Sequence, residues 1–492
     1  MAKDFFKYEN TTTLPKSSDN YKIHFIGICG VAMAQLAVAL SRKGFRVQGS
    51  DKEFYEPMGG LLRQNNIKTF QGYSEANLTD DINLVVIGNA VSYGNPEVSV
   101  VEQKNLPYTF FSKLLDETII QDRHSIVVCG THGKTTTTSM MASIFVEKGK
   151  QNGDDPSYFI GGIAQNLPES LHDGKGKFSI VEGDEYDSAF FHKIAKFFSY
   201  HPATCIINAI EYDHDDLYPT VEDMIEAFDK LVNGMSDKGT VIACVDFENI
   251  RKRLPAWSGA TKCKFITFGA SEGADWRIID RKISNANKQT VTLESKEVGQ
   301  ITFTIPLIGE FNARNATAAI IAAYINGVSI KDSTSTLEKF VAVKRRQEVR
   351  YDKDGITIIE DFAKHPTAVT GIIKGVREAY PNRRLIAVYE PRTNTSRRKF
   401  FHNDYVTIFK TADMTIISHI AAMTSDATRP VLDIPELVDD INKAGGNSKV
   451  LPDVAAIKEF LVTELNSGDV AVIMSNGSFG GLVQMLVDHY NG

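Results

Sequence analysis

The chain has 492 residues, of which 42% are hydrophobic and 23% are charged, and its formal net charge is -7. This composition predicts a globular protein large enough for two to four domains. The acidic balance, without an extended basic cluster, argues against nucleic acid as the main partner, and no apolar run approaches the roughly eighteen residues that cross a membrane.

The amino-terminal stretch "MAKDFFKYENTTTLPKSSDN" lacks the apolar core of a signal peptide, so we expect a cytoplasmic protein. We expect residues 1–20 to form a loosely held tail. The five cysteines are odd in number and show no C-x-x-C spacing, which indicates reduced packing residues. No pattern reports the oligomeric state, and we expect a monomer or a weak homo-oligomer without a membrane partner.

Apolar, β-branched runs that end in glycine or polar turns alternate with segments of helical period throughout the chain. Examples are "KIHFIGICG", "SIVVCGTHGK" and "LIAVYEPRTNT", with "VAMAQLAVALSRKG" between two such runs. This alternation predicts an α/β protein with parallel sheets, whose ligand sites lie at the carboxyl ends of strands. We place domains at 21–122, 123–342 and 343–492, with antiparallel strands near residues 276–307 added to the central domain.

The first strand-to-helix turn, "FIGICGVAM", is similar to the dinucleotide fingerprint, but Cys29 replaces the glycine that approaches the pyrophosphate. Gly27 and Gly30 remain, and their turn suits a diphosphate at the start of a helix. Asp51, at the end of the next strand, could accept a hydrogen bond from a ribose hydroxyl. The alternative is a tight turn without a ligand.

The stretch "SIVVCGTHGKTTTTSMMASIF", residues 125 to 145, has the strand, turn and helix of a phosphate-binding loop, but it is shorter at its front than the usual motif. Gly130 and Gly133 bracket Thr131 and His132, and the helix starts with Lys134 and Thr135. Backbone amides and the lysine would hold the β and γ phosphates, and the threonine hydroxyl would bind Mg²⁺.

Two acidic segments follow at strand ends, "SIVEGDEYDSAFF" and "TCIINAIEYDHDD". The apolar runs stop at Glu182 and Asn208, and His214 comes soon after. Metal ions would offset the charge of a nucleoside triphosphate, and Glu182 and His214 are the candidate ligands. Taken alone, "EGDEYD" is typical of a solvated acidic loop and a single histidine at a strand end is typical of a structural residue, but their positions after the phosphate loop favour metal ligands.

Together these segments resemble the Mur ligase family, the ATP-dependent amide-forming enzymes of peptidoglycan assembly. The shorter loop "GTHGKTT" is the family's G-T-x-G-K-T-T, and "GICGVAM", "NAIEYDHDD", "GEFNARNATAA", "KRRQE" and "EDFAKHPTAV" are similar to its other motifs. The likeness covers nearly the whole chain. It implies a UDP-sugar-binding Rossmann-like domain, a central P-loop ATPase-like domain and a third Rossmann-like domain, with a role in cell wall biogenesis, cell shape and cell division.

The resemblance also implies roles for individual residues. The UDP-sugar would contact Gly27, Ile28, Cys29, Gly30, Asp51 and Asn89. The nucleotide would contact Gly130, Thr131, His132, Gly133, Lys134, Thr135, Thr136, Asn312, Asn315, Arg346 and Asp361. The metal would be held by Thr135, Glu182 and His214, with Asn208 nearby. The catalytic set would be Lys134, Glu182, His214, Arg346 and His365, the last as a candidate base for the incoming amine.

Within the family, "VEGDEYDSAFF", "YEPRTNT" and "MSNGSFGG" are most similar to the branch that joins L-alanyl-γ-D-glutamyl-meso-diaminopimelate to UDP-N-acetylmuramate in peptidoglycan recycling. The L-alanine-adding branch of de novo synthesis is the alternative. Remote alternatives are a nucleotide-dependent switch and a dehydrogenase. For the peptide branch we expect Arg392, Thr393 and Asn394 to bind the acceptor, because they follow a third-domain strand.

Three positions depart from the family pattern. Phe311 replaces a histidine in the adenine motif, so we expect adenine to be held by stacking there. Lys364 replaces the first of two histidines, and only His365 can be carried over. Some branches have a carbamylated lysine that bridges the metals, and "EAFDKL" leaves open whether Lys230 or Asp229 has any part in this.

Overall fold

The structure is a computed structural model that describes residues 5–419 and 430–492. Its contacts divide the chain into two compact units. The first comprises Met1–Ile210, Glu222–Phe268 and Ala318–Ser333, and the second comprises Glu211–Val221, Gly269–Thr317 and Thr334–Gly492. Among the described residues, no helix combines the length and apolar character that a membrane crossing needs.

The amino-terminal domain of the first unit is a five-stranded parallel sheet in the order β3-β2-β1-β4-β5. This order is the classic doubly wound order without its sixth strand, and it confirms the Rossmann-like prediction. The switch point falls between β1 and β4, where the glycine turn leaves β1. The elements are β1 Lys22–Ile26, α1 Val31–Arg42, β2 Arg46–Asp51, α2 Met58–Gln64, β3 Lys68–Gln71, β4 Leu84–Ile87, α3 Pro96–Gln103, β5 Tyr108–Phe110 and α4 Phe111–Leu115.

The segment before β1 is not the loosely held tail that we expect from the sequence, although its residues 1–4 lie outside the described part. Phe6 is 4% exposed and packs against Tyr108 and Phe191. The Tyr108 hydroxyl accepts a hydrogen bond from the Lys7 amide at 2.8 Å. Aromatic side chains close to the amino terminus therefore dock onto the first unit, because burial of a large apolar side chain stabilises by about 1.5 to 3 kcal/mol.

The rest of the first unit is built around β6, which lies between β9 and β12. Strand pairing within this unit runs β14-β13-β12-β6-β9-β7-β8, and only β8 is antiparallel to its neighbour. The central elements are β6 His124–Cys129, α5 Lys134–Asn152, β7 Ser157–Phe159, β8 Leu171–His172, β9 Phe178–Gly183, β10 Asp187–Ala189, β11 His192–Ala195, β12 Thr204–Ile207, α6 Val221–Asn233, β13 Thr240–Cys244, α7 Glu248–Ala260 and β14 Lys264–Gly269.

A π-helical turn, Asp116–Ile120, joins α4 to the strand that carries the phosphate loop. Burial, helped by the nearby charge of Glu117 and opposed by His201 and Lys113, raises the pKa of Asp116 to about 6. A carboxyl group whose pKa rises on folding lowers the free energy of unfolding at every pH at which the group is ionised.

We therefore expect Asp116→Asn to stabilise the protein, with the full gain reached above about pH 6. The folded pKa of about 6 lies above the ordinary value of 3.8. The parent therefore loses stability as pH rises from 3.8 to about 6, whereas the variant does not. The gain should grow between about pH 4 and pH 6 and level off at about 1 kcal/mol, because solvent screening reduces the full effect at a partly exposed site. Urea unfolding at several pH values measures it.

Asp122→Asn, at an exposed neighbouring position, is the control for this measurement. Its free energy of unfolding should follow that of the parent at each pH to within about 0.5 kcal/mol. A gain for Asp116→Asn that is already complete at pH 4 would contradict the raised pKa.

The second unit contains an antiparallel meander, β15 Trp276–Asn285, β16 Lys288–Ser295 and β17 Gly299–Ile305. These strands are the predicted antiparallel addition. Helices α8 Glu310–Ile325 and α9 Ile330–Leu337 follow, and the division between the two units falls within each of them.

The carboxyl-terminal domain is a six-stranded sheet in the order β18-β19-β23-β20-β21-β22, parallel except for β18. Apolar side chains cover both faces of this sheet, which confirms a second Rossmann-like domain. Its elements are β18 Glu348–Lys353, β19 Ile356–Asp361, α10 Pro366–Ala379, β20 Arg384–Tyr389, α11 His402–Phe409, β21 Met414–Ser418, α12 Ile434–Lys443, β22 Ser448–Leu451, α13 Val454–Glu464, β23 Asp469–Met474 and α14 Leu482–Asn491.

Candidate active site

The phosphate loop, residues 130–136, connects β6 to α5 with two glycines in left-handed conformations. Gly130 has φ +120°, and a Cβ there would lie 2.7 Å from the Ala209 carbonyl oxygen. The Thr131 amide donates to that same oxygen at 3.0 Å. Gly133 has φ +80° and immediately precedes the first helical residue, Lys134. The loop thus needs glycine at both places, and it presents backbone amides at the amino end of a nineteen-residue helix. Thr136 is buried and His132 half-buried.

The ammonium group of Lys134 lies between the Gly130 carbonyl oxygen, at 2.9 Å, and the Glu185 carboxylate, at 2.6 Å. Asp184 is 4.0 Å away. Burial alone would lower the pKa of Lys134, but these carboxylates outweigh burial and hold the pKa above its usual range. The lysine is therefore a fixed cation at the mouth of the loop.

Thr135 and Glu182 meet beside this cation. The Thr135 hydroxyl donates to Glu182 Oε2 at 2.8 Å, and Glu182 is 4% exposed. The other carboxylate oxygen, Oε1, lies 1.8 Å from the position that a Cβ on Gly161 would take. The structure thus brings together two of the three predicted metal ligands, and a glycine makes room for one of them.

Asn208 lies at the end of β12, next to β6, and its side chain is aimed at the same helix. Its Nδ2 donates to the Thr137 hydroxyl at 3.0 Å. Among the described residues, its buried Oδ1 and the buried hydroxyl of Thr131 accept or donate no hydrogen bond. Carboxylate, hydroxyl and amide oxygens are the ligands that Mg²⁺ takes, and the loop amides and Lys134 can donate to phosphate oxygens, so the residues present fit a metal–nucleotide complex.

The glycine turn of the amino-terminal domain is held by the end of β2. The amides of Gly27, with φ +83°, and Ile28 both donate to the Ser50 carbonyl, at 2.9 and 3.0 Å. The Cys29 amide donates to Asp51 Oδ2 at 2.8 Å. Asp51 therefore shapes the turn itself, in addition to the ribose contact that we predict for it. Asn89 is exposed just after β4.

A buried polar network lies beneath this turn. His24 and Glu97 are fully buried and meet at 3.2 Å, and the Ser50 hydroxyl donates to the same carboxylate oxygen at 2.5 Å. Asn77 donates to the other oxygen at 2.7 Å. Burial would raise the pKa of Glu97, but the hydrogen bond and charge of His24 outweigh it, and the pKa lies below its ordinary value. The network fixes the strand end that carries Asp51.

His214 belongs to the second unit, so its predicted place beside Glu182 stays a prediction. It has φ +57°, and its amide donates to Asp213 Oδ1 at 2.8 Å and to the Thr395 hydroxyl at 3.0 Å. Lys364, which replaces a family histidine, pairs with the buried carboxylate of Asp213 at 3.1 Å. Burial would raise the pKa of Asp213, but the charge of Lys364 is the main cause that holds it well below its ordinary value.

Both ring nitrogens of His365 are engaged within the second unit. Nδ1 accepts from the Thr367 amide at 3.3 Å and so caps α10, while Nε2 lies 3.2 Å from the Tyr212 carbonyl. A carbonyl only accepts, so this arrangement requires the neutral tautomer with the proton on Nε2. His365 could serve as a base only by giving up the capping bond, and that role stays a prediction.

The predicted adenine segment opens α8, and its asparagines support one another. Asn312 donates to the Ile308 carbonyl and to Gln347 Oε1, both at 3.0 Å, and accepts from Asn315 at 3.2 Å. The Phe311 ring packs against α10, since a Cβ on Gly371 of that helix would lie 3.0 Å from the ring. Stacking of Phe311 on adenine stays a prediction.

Two consecutive arginines precede β18 and have different surroundings. Arg345 donates to Glu360 at 2.8 Å and to the Ser475 carbonyl at 2.8 Å, which makes it a structural link. Arg346, the predicted catalytic arginine, lies over the Phe362 ring at 4.5 Å. Burial raises the pKa of nearby Asp361, although the charge of Arg346 lowers it.

The predicted acceptor residues follow β20, at the same sheet edge as the end of β23. Among the described residues, Arg392 has no hydrogen-bond or ion-pair partner. Its guanidinium packs against Gly477, where a Cβ would lie 1.6 Å from Nη1. Thr393 holds the Ser396 hydroxyl at 2.9 Å, and Asn394 is exposed. The buried Oδ1 of Asn476, in the described part of the chain, has no hydrogen-bond partner. An unpaired cation and an unpaired acceptor thus share this edge.

The stretch "EAFDKL", which leaves a bridging lysine open, lies on α6. Lys230 is exposed on α6. Asp229 accepts from Arg253 Nε at 3.0 Å and from Trp257 Nε1 at 2.7 Å, so it joins α6 to α7.

Sequence patterns did not single out three residues that the structure places in these sites. Glu185 lies within the acidic segment, but only Glu182 ends the apolar run. Gln347 follows Arg345 and Arg346 in "KRRQE", and the family motif there is defined by its arginines. Glu97 lies at the start of the helical segment "PEVSVVEQ", where a charged residue is typical of an exposed position.

Family models match three successive parts of the chain. Residues 22–123 match the Mur ligase family catalytic domain, residues 128–323 the Mur ligase middle domain, and residues 345–477 the Mur ligase glutamate ligase domain.

Relatives match over almost the full length. The UDP-N-acetylmuramate–L-alanyl-γ-D-glutamyl-meso-2,6-diaminoheptandioate ligase of Escherichia coli is 34% identical, over 95% of this chain and 98% of its own. A UDP-N-acetylmuramate–L-alanine ligase of Desulforapulum autotrophicum is 30% identical over 95% and 98%. The crystal structure of a murein peptide ligase from Psychrobacter arcticus superposes with a TM-score of 0.71 at 31% identity, and covers 95% of this chain and 98% of its own. The chain therefore belongs to the Mur ligase family.

Proposed function

We propose that the protein is an ATP-dependent ligase that joins L-alanyl-γ-D-glutamyl-meso-diaminopimelate to UDP-N-acetylmuramate and releases ADP and phosphate. The observation that carries the proposal is the phosphate loop, in which a fixed lysine and a threonine–glutamate pair stand at the amino end of α5. A loop that grips terminal phosphates favours transfer of the γ-phosphoryl group over adenylate chemistry.

The reaction proceeds through an acyl phosphate. A lactyl carboxylate oxygen attacks the γ-phosphorus, the bond to the β,γ-bridging oxygen breaks, and ADP leaves with that electron pair. The neutral amine then attacks the acyl carbon, phosphate leaves, and the amine loses a proton as the amide forms. Lys134 and Arg346 stabilise charge on the transferring group. An α-amino group with a pKa of about 7.7 to 8.0 needs only a modest base or water.

Mg²⁺ would be held by Thr135 and Glu182, and His214 is the proposed further ligand. Asn208 contacts Thr137 on the same helix as Thr135. When bound, the ion neutralises phosphate charge so that a carboxylate can approach. The geometry shown for Thr135 and Glu182, and the unpaired oxygen of Asn208, support this set.

The peptide rather than free L-alanine is favoured by Arg392. L-Alanine has one carboxylate, whereas the tripeptide has several, and some are far from the reacting amine. An exposed guanidinium without a partner can take a carboxylate through two parallel hydrogen bonds. The 34% identity to the Escherichia coli peptide ligase also supports this choice.

The decisive experiment compares kcat/KM for the tripeptide and for L-alanine, with UDP-N-acetylmuramate and Mg-ATP present. We expect the ratio to favour the tripeptide, and a ratio favouring L-alanine would transfer the assignment to the alanine-adding branch. With UDP-N-acetylmuramate labelled by ¹⁸O in its carboxyl group, label should appear in released phosphate. Label in AMP would reject the acyl phosphate.

Arg392→Ala should lower kcat/KM for the tripeptide by about 30-fold or more, which corresponds to roughly 2 to 5 kcal/mol, because a bound carboxylate loses its cation. Affinities for ATP and UDP-N-acetylmuramate should change less than about twofold. Steady-state phosphate release measures the first effect and calorimetry the second.

Arg384→Ala is the matched control, since Arg384 begins the same strand at its opposite end and pairs with Glu464. Its kcat/KM for the tripeptide should equal that of the parent. Equal losses in the two variants would show a general loss of stability instead of a lost peptide contact.

A further inference from the structure

Gln347 connects the two segments of the second unit to which the nucleotide is assigned. Its side-chain Oε1 accepts from the Ile308 amide at 3.1 Å, and its Nε2 donates to the Ile308 carbonyl at 3.0 Å. The side-chain amide thus pairs with both backbone groups of one residue, as a neighbouring strand would. The same Oε1 accepts from Asn312 at 3.0 Å.

The backbone of Gln347 makes the second connection. Its amide donates to Asp361 Oδ2 at 2.9 Å, at the carboxyl end of β19. Gln347 has φ +52°, a left-handed conformation that is uncommon for a residue with a side chain. Arg345 has φ +63° as well, so Arg346 lies between two residues whose unusual backbone is fixed by hydrogen bonds.

The start of α8 is also packed closely on α10. A Cβ on Gly375 would lie 3.2 Å from the Gly309 Cα, and the Phe311 ring fills the space beside Gly371. These contacts leave the segment that carries Asn312 little freedom to adjust on its own. Gln347 bonds both this segment and Asp361, so it links the position of Asn312 directly to that of Asp361.

We propose that Gln347 is a positioning residue for the nucleotide, which holds the amino end of α8 and the carboxyl end of β19 as one binding edge. The inference rests on the proposed function, since it takes Asn312, Asn315 and Asp361 as nucleotide contacts. Gln347 itself need not touch the nucleotide. Its side chain sets the orientation of Asn312, and its backbone sets that of Asp361 and Arg346.

The test replaces Gln347 with methionine, which keeps the length of the side chain but makes none of its three hydrogen bonds. We expect the dissociation constant for Mg-ADP, measured by calorimetry on the full chain, to rise about tenfold or more. The constant for UDP-N-acetylmuramate should stay within twofold. Gln347→Glu, which keeps the acceptor for Ile308 and Asn312, should show a smaller rise, and it replaces the methionine variant if that does not fold.

Asn442→Leu is the matched control. The Asn442 side chain also clamps one residue's backbone, with its Oδ1 and Nδ2 bonded to the Ser448 amide and carbonyl at 2.6 and 3.1 Å. It should lower the melting temperature without changing either dissociation constant. Unchanged Mg-ADP affinity in both Gln347 variants, or equal losses for both ligands, would overturn the inference. A parent that binds Mg-ADP but ligates nothing would reject the proposed reaction and leave the Gln347 comparison decisive.

Discussion

Lys134→Ala should abolish ligation, with a loss in kcat of about a thousandfold or more, which is about 4 kcal/mol of transition-state stabilisation. The side chain places a cation where the terminal phosphates are expected, and its pKa lies above the usual range, so it is charged at every working pH. UDP-N-acetylmuramate should bind as tightly as in the parent. Phosphate release and calorimetry measure the two effects, and retention of more than about a tenth of the parent rate would show that the loop is not catalytic.

The structure adds a stability effect to this prediction. Glu185 is 1% exposed and contacts Lys134 at 2.6 Å, so the alanine removes the cation beside a buried carboxylate and should lower the melting temperature. Adding Glu185→Gln to Lys134→Ala should recover the melting temperature but not the turnover. Recovery of both would mean that the lysine acts only through folding.

Lys148→Ala is the control for the same helix. Lys148 lies on α5 and pairs at 3.2 Å with Asp332, away from the loop. A partly exposed ion pair contributes about 1 kcal/mol at most, so its loss should leave turnover unchanged.

Local patterns sufficed for the parts of the molecule that a short segment determines. The strand, glycine turn and helix around Lys134 form as predicted, because two glycines with positive φ and the start of one long helix define that loop. The parallel sheets follow from the alternation of apolar runs and helices. The docked aromatic segment before β1 was not predictable, since Phe6 gains its stability from Tyr108 and Phe191, which are distant in the chain.

Long-range hydrogen bonds account for the rest of what the sequence concealed. The role of Gln347 depends on Ile308 and Asp361, 39 and 14 positions away in the chain. No local period encodes such a contact. Likewise, Glu97 reads as a surface residue of α3 until β1 and β2 place His24 and Ser50 against it. The position of Asp51 at a strand end indicates a site residue, but its bond to the Cys29 amide depends on how the turn after β1 folds back onto β2.

Gly161→Ala should reduce turnover by about a hundredfold with little change in stability. Gly161 is exposed and follows the short strand β7, and a methyl group there would overlap Glu182 Oε1 at 1.8 Å and approach Cδ to 2.9 Å. The backbone around Gly161 need not move, because the carboxylate is the end of a flexible side chain. The carboxylate must swing away instead, which breaks its 2.8 Å bond with Thr135. A displacement of about 1 Å in a catalytic group costs on the order of a hundredfold in rate.

The measurement separates this effect from loss of the fold. The concentration of Mg²⁺ that gives half-maximal turnover should rise in Gly161→Ala, whereas the melting temperature and the affinity for UDP-N-acetylmuramate should match those of the parent. Gly259→Ala, on α7, is the control, since a Cβ there meets open space and should change neither the half-maximal Mg²⁺ concentration nor the affinity for UDP-N-acetylmuramate. Full turnover by Gly161→Ala at low Mg²⁺ would show that the position of the Glu182 carboxylate does not matter. Glu182 would then be a structural partner of Thr135, and the metal ligands would have to be sought elsewhere.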